Sequence, residues 1–423
     1  MFETQEASMV GQTVTAPSTS AATDDADAPS HWSAVYALAL CSFVLVASEF
    51  MPISLLSPIA QTLKLSPGHV GQAIAVSGFF ALGTSLFVTT LFGRIDRRRV
   101  LLGLTLLLMV SGAIVALAPT FTILLVGRAL LGVAIGGFWS MSAAIAMRLV
   151  APDAVPKALA VVNGGNALAS VLAAPLGSFL GGMIGWRGTF LCIVPIGAIA
   201  FIWQFATLPS LAVAGGARGS GVLSLLRRPV LVAGLIGVSL FFAGQFALFT
   251  YLRPFLEQVT HLDVSMLSIM LLVVGAAGFI GTMVIGRVLD ERRLPIVLAV
   301  LPAIMAAIAV ALTIFGGSVP ATMALLALWG FAGTAAPVAW WTWLSRTVPD
   351  EAEAGGGLMV AVIQLAIGLG STIGGVVFDA MGVEPEFLGS AALLALAAFT
   401  AFFVMRSHAV AVFCADCRPA PGP

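Results

Sequence analysis

The sequence predicts an all-α integral membrane protein: twelve transmembrane helices in two pseudo-symmetric six-helix halves. Three observations predict it. Hydrophobic residues make up 60% of the 423 residues and charged residues only 9%, against roughly 25% charged in a soluble domain, so a soluble fold could not cover its surface. Twelve apolar runs approach the ~20 residues that a helix needs to cross a bilayer. The second half of the chain also repeats landmarks of the first in the same order. Forty-five glycines fit helices that approach closely in lipid.

Residues 1–31 are rich in Ala, Ser, Thr and Asp and have neither the basic start nor the apolar run of a signal peptide. They are expected to form a disordered cytoplasmic tail. The N-terminal half, 32–208, holds spans near Trp32–Leu55, His69–Phe92, Val100–Leu117, Phe121–Met147, Ala158–Ile184 and Thr189–Leu208. A polar central loop, 209–229, carries Gly215, Gly216, Ser220, Arg227 and Arg228. The C-terminal half, 230–405, holds spans near Val230–Leu252, Val264–Leu289, Pro295–Phe315, Thr322–Leu344, Gly357–Met381 and Phe387–Met405. Residues 406–423 form a second cytoplasmic tail. Its Cys414 and Cys417 have zinc spacing but lack the second pair that a tetrahedral site needs, and are read as incidental.

Of the nineteen basic residues, Lys64, Arg187 and Arg253 fall on one side and Arg128 within a span. The remaining fifteen fall in the tails, the central loop and the alternate connections, which the positive-inside rule assigns to the cytoplasm. Both termini are therefore expected inside.

The repeat is clearest between Ser42–Gln61 and Ser239–Gln258. Aligning Pro58 with Pro254 sets Glu49 on Gln245 and Phe50 on Phe246. Gly93, Asp96 and Arg97–Arg99 after the second span match Gly286, Asp290, Arg292 and Arg293 after the eighth. Arg148, Pro152 and Asp153 match Arg346, Pro349 and Asp350, and Gly177, Ser178, Gly181 and Gly182 match Gly370, Ser371, Gly374 and Gly375. Two parallel six-span halves place a solute site at the midplane between them.

An acid in hydrocarbon costs at least ~2.5–3.5 kcal/mol and is kept for a partner, a wet cavity or a role. Glu49 sits in such a run and is the candidate proton carrier; the plainer reading puts it near the outer surface. Arg128, about seven residues into the fourth span, is its natural partner at similar depth, as a charge sensor or as a static bridge. Gly93, Asp96, Arg97 and Arg99, with Asp290 in the repeat, form a cytoplasmic gate or simply an ordinary basic turn. Ala174, Pro175, Gly177, Gly181 and Gly182 allow a bend and close helix approach. Gln245, Gln364, Asn163 and Asn166 either hydrogen-bond a polar solute or bond between helices. Trp139, with Phe138, and Phe246 are candidates for stacking on a flat ligand, whereas Trp340, Trp341 and Trp343 read as an interfacial belt. No P-loop, catalytic triad, metal cluster or dinucleotide turn is present. An enzyme, a cofactor, a metal and a nucleic-acid partner are not expected; the expected partners are lipid, a small solute and protons, and the expected unit is a monomer.

The turn after the second span, Arg128 with Gly132 and Gly136, and the Pro175 glycine run resemble three signature motifs of the major facilitator superfamily. The last resembles the motif of its drug/proton antiporters, with Ala174 where glycine is usual and Ser178-Phe179 in place of two glycines. Further stretches, among them Gly136–Ser142, Gly185–Arg187, Phe242–Phe246 and Ala361–Ala366, resemble the purine ribonucleoside exporters of that superfamily. The resemblance implies proton-driven export of purine ribonucleosides across a bacterial inner membrane. Sugar or drug export by the same fold is the alternative, and a non-transporting solute sensor is a rival of another class.

Overall fold

The computed structural model describes residues 31–92, 95–211, 225–290, 292–348 and 351–416, with the side chains of 88–91, 152, 352–353 and 404–416 excepted. Residues 1–30 of the expected N-terminal tail, most of the central loop, Gly93 and Cys417 lie outside the described residues.

The described chain is helical. In order, the helices are α1 (Trp32–Ser54), α2 (Leu56–Leu63), α3 (Pro67–Leu91), α4 (Arg97–Leu117), α5 (Phe121–Arg148), α6 (Val155–Thr207), α7 (Pro229–Thr250), α8 (Leu252–Gln258), α9 (Val264–Val288), α10 (Leu294–Phe315), α11 (Val319–Thr347), α12 (Ala352–Met381) and α13 (Val383–Asp416). α6 is long enough to cross twice. It is broken at Gly185, whose φ of 72° and ψ of 164° suit a residue with no Cβ, and the break falls between the fifth and sixth expected spans. α2 and α8 are short turns of helix that continue α1 and α7. Twelve crossings result, as the sequence predicts.

Within the first half α1 packs on α6 and α3 on α5; the repeat is visible in α7 on α12 and α9 on α11. Glycine sets the closest approaches. A Cβ on Gly132 or Gly136 of α5 would strike the Ser77 or Ala81 carbonyl of α3, and one on Gly330 of α11 would strike the Val274 carbonyl of α9. Two large apolar clusters, one per half, hold the bundle together. Large apolar side chains such as Phe79, Leu117, Ile202, Ile296 and Ile314 remain exposed around it, as on a surface solvated by lipid rather than water.

The halves join through α3 on α12 and α6 on α9. Asp379, at the end of α12, accepts from Ser66 Oγ at 2.5 Å and from the Gly68 amide at 3.0 Å. Its carboxylate thus caps the N-terminus of α3, where amides lack intrahelical partners and the helix dipole favours negative charge. Arg253 donates through Nη1 to the Ser54 carbonyl and through Nε to Glu257 at 2.7 Å. A Cβ on Gly182 would meet Val264 of the other half. These contacts lie at the end bearing the connections at 64–66 and 382; we call it the clasped end.

Trp340 and Trp343 correct the expected interfacial belt. They are 1% and 3% exposed and fill the space opposite Gly237 and Gly234 of α7, where a Cβ would collide with their rings. Only Trp341 of the three is exposed. The belt reading ignored that two glycines one turn apart on another span make room for two indoles.

Candidate functional site

The repeat-related residues meet where the halves join. Phe50 and Phe246 stack with ring centroids 5.9 Å apart and planes 29° off parallel, across the pseudo-two-fold relation that the sequence alignment defines. Beside them lie Glu49 on α1 and Gln245 on α7. Glu49 is buried, 8% exposed, and its Oε1 accepts from Gln364 Nε2 of the opposite half at 3.1 Å. The acid and one of the expected solute-binding amides are therefore direct partners. Gln245 is half-buried; its Nε2 donates to the Gly333 carbonyl at 3.2 Å, and its Oε1 is buried with no partner among the described residues.

Arg128 is 1% exposed and fully engaged. Nη1 donates to the Ser48 carbonyl at 2.8 Å, Nη2 to the Glu49 carbonyl at 3.3 Å and to Ser77 Oγ at 2.9 Å, and Nε to the Ala73 carbonyl at 3.1 Å. The expected side-chain ion pair with Glu49 is thus replaced: the guanidinium takes that residue's backbone, and the carboxylate takes Gln364. The reason is in the sequence. Pro52 stands inside α1 four residues after Ser48, and having no N–H it cannot serve the Ser48 carbonyl. Arg128 supplies the missing donor. Its planar fork then reaches both α1 and α3, fixing the helix segment that carries Glu49.

Trp139 is half-buried, edge-on to Phe138 at 5.5 Å, and packs with Phe43 and Phe50 on a small cluster of Val46, Ala47, Ala169 and Ala173. An aromatic wall thus lies one residue from Glu49. Asn166 is half-buried on α6, whereas Asn163 is exposed and bonds back to its own helix at the Leu159 carbonyl, 2.9 Å away; nothing draws Asn163 into the group. Ala174 and Pro175 are buried, and a Cβ on Gly177 or Gly181 would meet Ser54 at the end of α1 or Leu55 just after it. The glycine run thus seats α6 against the stretch of α1 just beyond Glu49, and Gly182 against α9.

The gate residues are elsewhere. Asp96 caps α4, accepting from the Arg98 amide at 2.8 Å, from Ser210 Oγ at 2.5 Å and from the Leu211 amide at 3.0 Å. Its modest burial pushes the carboxyl up, but these hydrogen bonds and nearby Arg99 outweigh it and hold Asp96 below the usual carboxylate range. Arg97 reaches Met141 Sδ at 3.6 Å, and Arg99 is exposed. Asp290 makes the equivalent cap, accepting from the Arg293 amide at 2.7 Å. Among the described residues none of these bonds reaches from one half to the other, Ser210 and Leu211 lying at the start of the central loop. As a gate joining the halves, the motif is not engaged here, while the opposite end is clasped.

Three groups were not singled out in the sequence. Pro52 was signalled by its position four residues after Ser48. Asp379 was hidden because its partners are more than 300 positions away. Glu386 was read as part of an outer connection, yet α13 starts at Val383 and turns it inward, 1% exposed.

The family model described as Major Facilitator Superfamily matches residues 38–371. The chain is 55% identical over 384 residues to the transcription regulatory protein OpdE of Pseudomonas aeruginosa PAO1, covering 90% of this chain and 95% of that one. It is 43% identical over 374 residues to the purine ribonucleoside efflux pump NepI of Salmonella typhimurium LT2, covering 88% and 94%. Among solved structures, a bacterial homologue of the human lysosomal transporter Spinster, inward-facing and unoccupied, superposes with a TM-score of 0.74 at 17% identity, covering 93% of this chain and 99% of that one. The human organic anion transporter MFSD10 gives 0.64 at 18% identity, covering 88% and 99%.

Proposed function

The chain belongs to the major facilitator superfamily, a transporter rather than an enzyme, and from that premise we propose that it exports purine ribonucleosides such as inosine and guanosine in exchange for protons. The observation that carries this reading is Glu49: a buried carboxyl, hydrogen-bonded across the halves to Gln364, beside stacked Phe50 and Phe246. An amide and an acid with aromatic faces around them suit a flat, polar base and its ribose. A carboxyl whose one named partner lies in the other half is free to change state when the halves move. In this reading Glu49 carries the proton and Arg128 holds its helix in register. Gln245, Gln364 and Asn166 hydrogen-bond the solute, and Asp96, Arg97 and Arg99 close the cytoplasmic end when the clasped end opens. The setting is a bacterial inner membrane with both termini inside. The Salmonella relatives named as nucleoside pumps support the choice of solute.

The name of the Pseudomonas relative favours a second reading, in which the same fold binds a solute and reports it without carrying it. The two differ in flux. Purified protein in liposomes should move labelled inosine opposite to the proton flow set by an imposed pH gradient, with competition by purine ribonucleosides and none by lipophilic cations. Saturable inosine binding with no flux would favour the sensor, and competition by lipophilic cations would favour a drug exporter.

A further inference from the structure

A second buried acid lies away from Glu49. Glu386, in the first turn of α13, is 1% exposed, and neither carboxylate oxygen has a hydrogen-bond partner among the described residues. Its neighbour in sequence, Phe387, is buried and packs at a tilt on Phe255, ring centroids 4.7 Å apart. The helices packed against α13 are α7, α10 and α12. α10 contributes no ionisable side chain. From the α7–α8 side come Tyr251 and the Arg253–Glu257 pair, whose members bond each other; from α12 comes Asp379, already committed to the cap of α3. Glu384 is exposed on the same turn of α13. No cation pairs with Glu386 within 4 Å among the described residues. A charged carboxylate sealed in this position, unpaired, is heavily penalised.

What seals it belongs partly to the other half. Val383, one turn before Glu386, packs against the apolar clusters of both halves. Tyr251, within electrostatic reach of both Glu386 and Asp379, belongs to the cluster of the first half although it lies in the second. Its hydroxyl donates to the Ser371 carbonyl at 2.7 Å and sits where a Cβ on Gly71, of the first half, would strike it. When α3 leaves α12 at the clasped end, the Asp379 cap breaks and Tyr251 loses its cover on the Gly71 side.

We propose that Glu386 is a proton-binding site that links closure of the clasped end to proton uptake, separate from the site at Glu49. The inference rests on the alternating-access part of the functional reading and not on the identity of the solute. Closing takes one proton from solution onto the carboxylate, and opening returns it to the same side. Because the closed form holds the extra proton, acid favours closure and alkali favours opening, by up to about tenfold in the closed-to-open ratio per pH unit.

The test is a spin-label distance across the clasped end, between Gln61→Cys and Met381→Cys, both exposed sites, with the native cysteines replaced by serine. It is measured over a pH series in Glu49→Gln protein, which silences the first acid. The short-distance population should grow as pH falls, and the dependence should vanish when Glu386→Gln is added, leaving the end closed throughout. Glu386→Met, of similar volume, serves as a second neutral variant and should behave alike. A pH dependence retained in the double variants, or absent before Glu386 is changed, would overturn the proposal alone. A distance that never changes under any condition would overturn alternating access as well.

Discussion

Arg128 should matter to this fold chiefly as the donor for a carbonyl that Pro52 leaves without one, and a double-mutant cycle isolates that contribution. Arg128→Met removes all four hydrogen bonds while keeping an apolar stem in the same space. Three acceptors, the Ala73 and Glu49 carbonyls and Ser77 Oγ, are shared with other interactions or replaceable; the Ser48 carbonyl is the orphan. Losing a charged hydrogen bond costs about 1.5–3 kcal/mol, and leaving a buried acceptor bare costs a similar amount. Pro52→Ala restores the amide that α1 lacks and lets the helix satisfy Ser48 itself. Arg128→Met should therefore be less damaging in Pro52→Ala than in the parent, by about 1.5–3 kcal/mol. Equilibrium unfolding in mixed detergent micelles, monitored by tryptophan fluorescence, supplies the four corners of the cycle. A coupling under ~0.5 kcal/mol, within the usual scatter of additivity, would refute the argument and return Arg128 to the role of a charge placed for Glu49.

Other outcomes follow from the same geometry. Asp379→Ala removes the cap that joins the halves; with charged hydrogen bonds worth about 1.5–3 kcal/mol each, a membrane-impermeant maleimide should reach Gln72→Cys, in the groove beside Asp379, at least about tenfold faster, and an unchanged rate would show the cap to be incidental. Gly78→Ala places a Cβ 2.7 Å from the Gln364 carbonyl and should hinder closure and export, whereas Gly83→Ala on the same helix meets nothing within 4 Å and should be tolerated; equal effects of the two on export would contradict the close-packing account. Asp96 lies below the usual carboxylate range, so its hold on Ser210 and Leu211 is complete above the ordinary carboxyl value of ~3.9 and is lost only as pH falls through the lowered one. Hydrogen exchange of the Leu211 amide should accordingly stay suppressed, relative to its intrinsic rate, across neutral and mildly acidic pH; release near neutrality would contradict the assignment.

Much of this arrangement was legible in the chain. The alignment of Phe50 with Phe246 anticipated a pair that meets across the halves, because a duplicated helix pair brings equivalent positions toward one axis. The burial of Glu49 followed from the apolar residues on both sides of it. Pairing was harder. Arg128 lies at the right depth for Glu49, but depth does not say which oxygen a guanidinium will take, and the backbone vacancy created by Pro52 outcompeted the side chain. Trp340 and Trp343 were misread because the glycines that receive them belong to another span. Glu386 sits in a connection of few residues between two expected spans, which reads as exposed, and only the packing of α13 turns it inward; Asp379 lies near the end of the expected span Gly357–Met381, and the helix end it caps is more than 300 positions away.

The central claim is that Glu49 is the group whose protonation drives export. It is tested most directly by comparing inosine transport in liposomes containing the parent or Glu49→Gln protein, with and without an imposed pH gradient. Glu49→Gln should still exchange inosine for inosine at equilibrium while losing all gradient-driven accumulation. Gradient-driven accumulation undiminished in Glu49→Gln would contradict the claim and place proton coupling elsewhere in the molecule.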